Sequence, residues 1–184
     1  AAADFAVLRQ WILRAADNDV RAALGKERAD LHDLAALLSP AAEPHLPRMA
    51  AQSAQATLQR FGRTTQIYAP LYLSNLCTNR CAYCGFAAGN KIPRRTLTLA
   101  EAETEAAILQ ERGFQHILLV SGEAPKVLGV EYLEEIALRL RDRFAALSIE
   151  VQPLSRAEYA RLFRAGITAV AVYQETYDRE VYKE

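Results

Sequence analysis

From Gln66 onward the chain alternates four times between a short apolar run and a following loop or helix-patterned segment, and this alternation narrows the available folds more than any other feature. The stretch "IYAPLYLSNL" is almost continuously apolar or aromatic up to Cys77. Such a run reads as a strand buried on both faces, the habit of parallel sheets, and we place it at about residues 70–76. Thr98 followed by Glu101 forms a capping box for a helix with Ala102, Ala106 and Leu109 on one face, and Gly113 sits where a C-terminal cap belongs. "HILLVSG" is the second strand, "VEYLEEIALRLRDRF" an amphipathic helix, and "SIEVQPL" the third strand. Ser155 with Glu158 caps a short helix that stops before Gly166, and "TAVAVY" is the fourth strand. Strands separated by helices require crossovers, so the sheet is expected to be parallel.

Residues 4 to 62 are different, with apolar positions at helical spacing in "FAVLRQWILRAA" and "LHDLAALL", the latter stopped by Pro40, and a longer helix from about Pro44 to Phe61. The expected organisation is a helical segment at 1–65 and an α/β unit at 66–184. Four strands are half of a closed (β/α) barrel, which takes roughly 250 residues. The chain opens on alanine. It is therefore expected to be a fragment, the first half of a barrel, with most of the remainder beyond Glu184. Hydrophobic residues make up 51% of the chain, as in a globular protein, and 22 basic residues balance 22 acidic ones. That balance gives no general pull toward nucleic acid or an anionic membrane. No apolar run approaches the roughly 20 residues of a membrane span and no signal sequence opens the chain, so the expected location is cytoplasmic.

In a parallel βα fold, functional groups collect past the C-terminal ends of the strands. Here those ends deliver the cysteine loop, then Ser121-Gly122-Glu123, then Gln152, then Gln174-Glu175. The loop, "CTNRCAYCGF", holds all three cysteines of the chain, Cys77, Cys81 and Cys84. An odd, clustered set makes a poor disulfide framework. Structural zinc takes four ligands, usually in separated pairs, and the nearest histidine, His116, falls at the opposite end of a strand. A thioredoxin-like pair, Cys81 and Cys84, would leave Cys77 idle. Three thiolates can instead hold three irons of a four-iron four-sulfur cluster and leave the fourth iron open.

The Cys77-x3-Cys81-x2-Cys84 spacing, with Tyr83 just before the last cysteine, resembles the signature of the radical S-adenosylmethionine (SAM) enzymes. The resemblance implies a TIM-type barrel, a 4Fe-4S cluster on the three cysteines, and SAM as ligand of the open iron and source of a 5'-deoxyadenosyl radical. It also implies SAM contacts from Tyr83, from Ser121, Gly122 and Glu123 in place of the family's Gly-Gly-Glu element, and from Gln152 and Glu175. Gln174 and Ser155 stand on the same rim, and Ser155 has its capping role as an alternative. Lys91, Arg94 and Arg95 are either a solvated basic loop or a surface that steers an acidic electron donor such as reduced flavodoxin. Trp11, His32, His45 and His116 are expected to be structural.

The segments "LLSPAA", "PLYLSNLCTNRCAYCGF", "NKIPRRTL", "IEVQPL" and "VYQETY" are similar to those of the 2-iminoacetate synthases, tyrosine lyases of thiamine biosynthesis. This implies cleavage of L-tyrosine between its α and β carbons to 2-iminoacetate and p-cresol, with a thiazole synthase subunit as partner. The related tyrosine lyase of hydrogenase maturation shares the loop and "QETY", whereas "IEVQPL" favours the thiamine branch. A metal-binding scaffold without turnover stands as the non-catalytic alternative.

Overall fold

The computed structural model describes residues 5–183. Contacts divide the chain into two compact units, Ala1–Thr65 and Gln66–Glu184. The first is helical, with α1 (Phe5–Arg14), α2 (Asp17–Leu24), α3 (Leu31–Leu37), a 3-10 turn at Pro40–His45 and α4 (Leu46–Phe61). Asp30 caps α3, accepting from the His32 and Asp33 backbones, while the Asp33 carboxylate returns to the Asp30 N–H. Asp33 is almost fully buried, and Lys26 Nζ meets it at 2.7 Å. The ammonium holds the Asp33 carboxyl below its ordinary range. Val20, Ala23, Leu24, Ala36 and Ala42 form the small core of this unit. Trp11 stacks on His32, the packing role expected of both.

The second unit runs β1 (Ala69–Ser74), α5 (Leu99–Glu111), β2 (His116–Ser121), α6 (Val130–Leu140), β3 (Ala146–Glu150), α7 (Arg156–Ala165) and β4 (Ile167–Val170). The four strands are all parallel and lie in chain order, β1-β2-β3-β4. Helices α5, α6 and α7 share one continuous core with the sheet. Chain-order strands under a single helical layer form a barrel wall, in contrast to a doubly wound sheet, which carries helices on both faces. Leu119, Ile149, Leu133, Ile136 and Leu140 are completely shielded from solvent in this layer. Each contributes on the order of 2 kcal/mol by leaving water.

The helix ends follow their sequence signals. Thr98 Oγ1 accepts from the Glu101 N–H and the Glu101 carboxylate accepts from the Thr98 N–H at 2.7 Å. Those bonds and Arg95 hold the Glu101 carboxyl down at about 2. Ser155 and Glu158 form the same reciprocal pair at α7. Gly166 closes α7 in the left-handed region, φ +116°, where a Cβ would also lie 2.6 Å from the Arg141 Cβ. Both reasons require glycine.

The strands sit slightly earlier in the chain than their apolar patterns suggest. β1 ends at Ser74 rather than 76 because the Ser74 hydroxyl accepts from the Leu76 N–H and pairs with Thr96 Oγ1, drawing the backbone out of the ladder. β3 occupies 146–150 rather than 148–154, since Ala146 and Leu147 already pair with His116 and Ile117. β4 ends at Val170 instead of 173, opposite the last residues of β3. Val151, Gln152 and Leu154 therefore belong to a loop. No helix among the described residues is long and apolar enough to cross a membrane.

Candidate active site

Because all four strands point the same way, their C-terminal ends form one rim, and the cysteine loop leaves β1 at that rim. Gly122, just past β2, makes the closest approach. The Gly122 N–H donates to the Ser74 carbonyl, and a Cβ here would lie 2.2 Å from the Leu76 carbonyl and 2.9 Å from the Cys77 Cβ. No side chain larger than hydrogen fits without moving the loop. The Thr78 N–H and hydroxyl both donate to the Glu123 carbonyl, at 2.8 and 3.0 Å, and Asn79 Nδ2 donates to Glu123 Oε2 at 2.7 Å. The Ser-Gly-Glu element is thus physically joined to the loop, and one Glu123 oxygen is already engaged.

Cys77, Cys81 and Cys84 are all free thiols, Cys81 exposed and the other two half-buried. Two tight turns carry the loop, Cys84 N–H to the Cys81 carbonyl and Ala87 N–H to the Cys84 carbonyl. The Phe86 N–H donates to Cys84 Sγ at 3.4 Å. Among the described residues no three cysteine, histidine or acidic side chains gather closely enough to share one ion.

Tyr83 projects from the loop into solvent, and its hydroxyl donates to the Glu175 carboxylate across the rim. That hydrogen bond, with the nearby Cys81 and Cys84, pushes the phenol up to about 12. The contact brings the segment that follows β4 to the loop that follows β1. Gln152 is buried, donates Nε2 to the Leu128 carbonyl at 3.2 Å and leaves Oε1 without a partner. The Ser121 hydroxyl is likewise buried and unpartnered. Two enclosed acceptors without donors are costly in a finished site, at about 1–3 kcal/mol each, and are what a ligand with donor groups would relieve. Gln174 instead turns back onto its own segment, donating to the Thr176 carbonyl, and Ser155 is occupied by its helix cap.

Lys91 and Arg95 of the basic stretch are exposed, as its composition suggests, but Arg94 is not. Arg94 is half-buried against four backbone carbonyls, and Arg95 pairs with Glu101. Among the described residues only Lys91 of the three keeps its charge out of such contacts. His116 meets Gln66 at the far end of β2, away from the loop.

Sequence reasoning passed over Asn75, Thr78, Asn79 and Asn90, the polar residues that fasten the loop. Their only signal was a density of Asn and Thr beside cysteine, with nothing to indicate targets up to 45 residues away. It also passed over Glu150. Leu147 and Ile149 point into the helical core, so by alternation Ser148 and Glu150 belong to the opposite face, in line with Val120 and Tyr72. An apolar groove of about 640 Å³ lies along α7 and β4, lined by Tyr159, Leu162, Phe163 and Val170, and contains no candidate site residue.

Comparison with known proteins matches residues 71–184 to the family model described as the radical SAM superfamily. The 2-iminoacetate synthase of Escherichia coli (strain K12) is 46% identical over 164 residues, covering 89% of this chain and 44% of that protein. The 3-methylornithine synthase of Methanosarcina barkeri (strain Fusaro) is 26% identical, covering 83% of this chain and 44% of its own length. Among solved structures, HydG, a maturase of the [FeFe]-hydrogenase, superposes with a TM-score of 0.87 at 26% identity, over 98% of this chain and 43% of HydG. The chain thus spans less than half the length of the curated relatives it matches.

Proposed function

Because this chain belongs to the radical SAM superfamily, whose cofactors are a 4Fe-4S cluster and SAM, we propose that Cys77, Cys81 and Cys84 hold the cluster and that the joined rim holds SAM. When bound, the pair supplies one-electron cleavage of a carbon–sulfur bond and, with it, a hydrogen-abstracting radical. The rest is positioning by the protein. Gly122 lets the β2 end approach Cys77, and the Ser121 and Gly122 carbonyls would be the ones to receive the ammonium group of SAM, since Thr78 already occupies that of Glu123. Glu123, steadied by Asn79, adds a carboxylate to the same contact. Gln152 would present an unpartnered acceptor to a polar ligand, whereas the Ser121 side chain shares the helical side of β2 with Leu119, so that Ser121 would contribute through its backbone carbonyl. Glu175 and Tyr83, which meet at the rim, would border it.

For the reaction, the reading supported best is a tyrosine lyase that cleaves L-tyrosine between its α and β carbons, giving 2-iminoacetate for thiamine biosynthesis and p-cresol. The observation that carries it is the 46% identity with a 2-iminoacetate synthase along 89% of this chain. The whole protein would take electrons from reduced flavodoxin or a similar donor and pass product to a thiazole synthase subunit. The Arg94 guanidinium is taken up by loop carbonyls, which leaves Lys91 and the exposed Arg95 as the cations of the stretch available to such a donor. A second reading, the tyrosine lyase of hydrogenase maturation, draws on the HydG superposition and ranks lower at 26% identity.

The test is anaerobic reconstitution of the full-length protein followed by turnover with SAM, reductant and tyrosine. Expected are about four irons per chain and p-cresol in step with 5'-deoxyadenosine. 5'-Deoxyadenosine without p-cresol would sink the substrate assignment, and a colourless, zinc-loaded protein would sink the cofactor assignment.

A further inference from the structure

Arg94 sits outside the three-cysteine motif, yet its guanidinium donates to backbone carbonyls on both flanks of the loop. Its Nη1 donates to the Asn75 carbonyl at 2.7 Å and the Phe86 carbonyl at 2.8 Å. Its Nη2 donates to the Ala87 carbonyl at 2.7 Å and the Asn90 carbonyl at 3.1 Å. Asn75 is where the chain leaves β1, and residues 86–90 are where the cysteine loop ends, so one guanidinium spans the loop at its base. Asn90 adds a second fastening, its Nδ2 donating to the Cys84 and Gly85 carbonyls at 3.1 Å. Asn75 returns the tie by donating to the Pro93 carbonyl and accepting from the Arg95 N–H. Four carbonyl dipoles aimed at one point repel unless a cation occupies it. Only a rigid fork of five donors can serve all four; lysine is a point charge with three.

We propose that Arg94, aided by Asn90, is the positioning residue of the cysteine loop. It holds the segment from Cys77 to Cys84 in a shape ready for its cluster before the cluster arrives, and keeps it so afterwards. Charge-assisted hydrogen bonds of this length are about twice as strong as neutral ones, which makes the clamp a large part of what stiffens an otherwise exposed loop. The inference rests on the cluster reading of the loop given above.

The experiment uses full-length protein, reconstituted anaerobically, with three readouts: iron release to a chelator, the electron paramagnetic resonance signal of the reduced cluster with and without SAM, and melting of the iron-free chain. Arg94→Lys and Arg94→Gln are expected to lose iron about tenfold faster than wild type or more, with a blunted spectral response to SAM. Arg95→Ala, which loses only the surface pair with Glu101, is expected to stay within about twofold. Asn90→Ala, at an exposed position, is expected to lose iron about threefold faster and decides the matter if the Arg94 variants fail to fold. Iron release and spectra unchanged in Arg94→Lys, or unchanged in Asn90→Ala where the Arg94 variants cannot be made, overturn the proposal. A wild-type protein that takes up no cluster overturns the underlying reading instead.

Discussion

Leu119 and Ser121 lie two residues apart on β2, one completely enclosed by aliphatic neighbours and the other carrying a buried hydroxyl with no partner. They mark two regions built on opposite terms. The helical face of the sheet is held by many non-directional contacts, each replaceable by something of similar volume. The rim is held by a few directional polar bonds, among them Thr78 and Asn79 to Glu123 and Arg94 to four carbonyls, and it leaves acceptors empty. The lesson is that stability and chemistry are separable here. Damage to the face should unfold the protein, whereas damage to the rim should disarm a folded one.

The most forceful way to break this contrast is Cys81→Ala. Cys81 is exposed, so melting is expected to stay near wild type while cluster assembly and SAM cleavage fall to background, measured by iron content and by 5'-deoxyadenosine release. A collapse of the fold would show that the rim carries stability after all. Leu119→Ala tests the other side, with an expected loss of about 2–5 kcal/mol in urea unfolding and normal iron content in the fraction that stays folded.

Gly122→Ala falls between the two, because its new methyl group meets the Leu76 carbonyl at 2.2 Å. It is expected to cost about 1–3 kcal/mol and to weaken SAM binding, read by equilibrium titration, more than it lowers stability. Ser155→Ala sharpens the comparison on a smaller scale. A lost cap costs about 1 kcal/mol with SAM affinity unchanged; a weakened affinity would restore Ser155 to the ligand set.

The smallest effect is spectroscopic. The Tyr83 phenol donates to Glu175 only while it keeps its proton, so its titration is pushed up to about 12 from 10.0. The folded state holds that proton more tightly than the unfolded one, so the contribution is complete below pH 10.0 and is lost as pH rises through about 12. Glu175→Gln is expected to return the phenolate absorbance of Tyr83 toward pH 10.0, assigned by difference from Tyr83→Phe. An unmoved titration would remove Glu175 from the rim.

Much of the fold was legible because its signals are local. Capping boxes at Thr98 and Ser155 involve residues three apart, Gly166 is dictated by its own backbone angle, and apolar runs announce strands wherever they are buried. Strand ends were less legible, since they depend on which neighbour is there to pair. The "SIEVQPL" run looks extended throughout, yet it leaves the ladder after Glu150. Within the site, the clustering of the three cysteines could be read from spacing, Tyr83 and the Ser-Gly-Glu element became candidates only through the family resemblance, and in the structure all of them lie at the rim that Glu175 also reaches. Gln174 and Ser155 share the rim in sequence order but turn to other partners.

The sequence by itself therefore determined the alternation of strands and helices, the three thiols in one loop and the order in which polar residues reach the strand ends. These follow from periodicity and from residue chemistry within a few positions. Only the tertiary structure decided that Gly122 must be bare to admit Cys77, that Arg94 faces inward to four carbonyls instead of outward to a partner, and that Tyr83 meets Glu175. Each depends on atoms brought together from residues 4 to 92 positions apart in the chain. Backbone carbonyls, which every residue carries alike, leave no mark in a sequence to say which side chain they will receive.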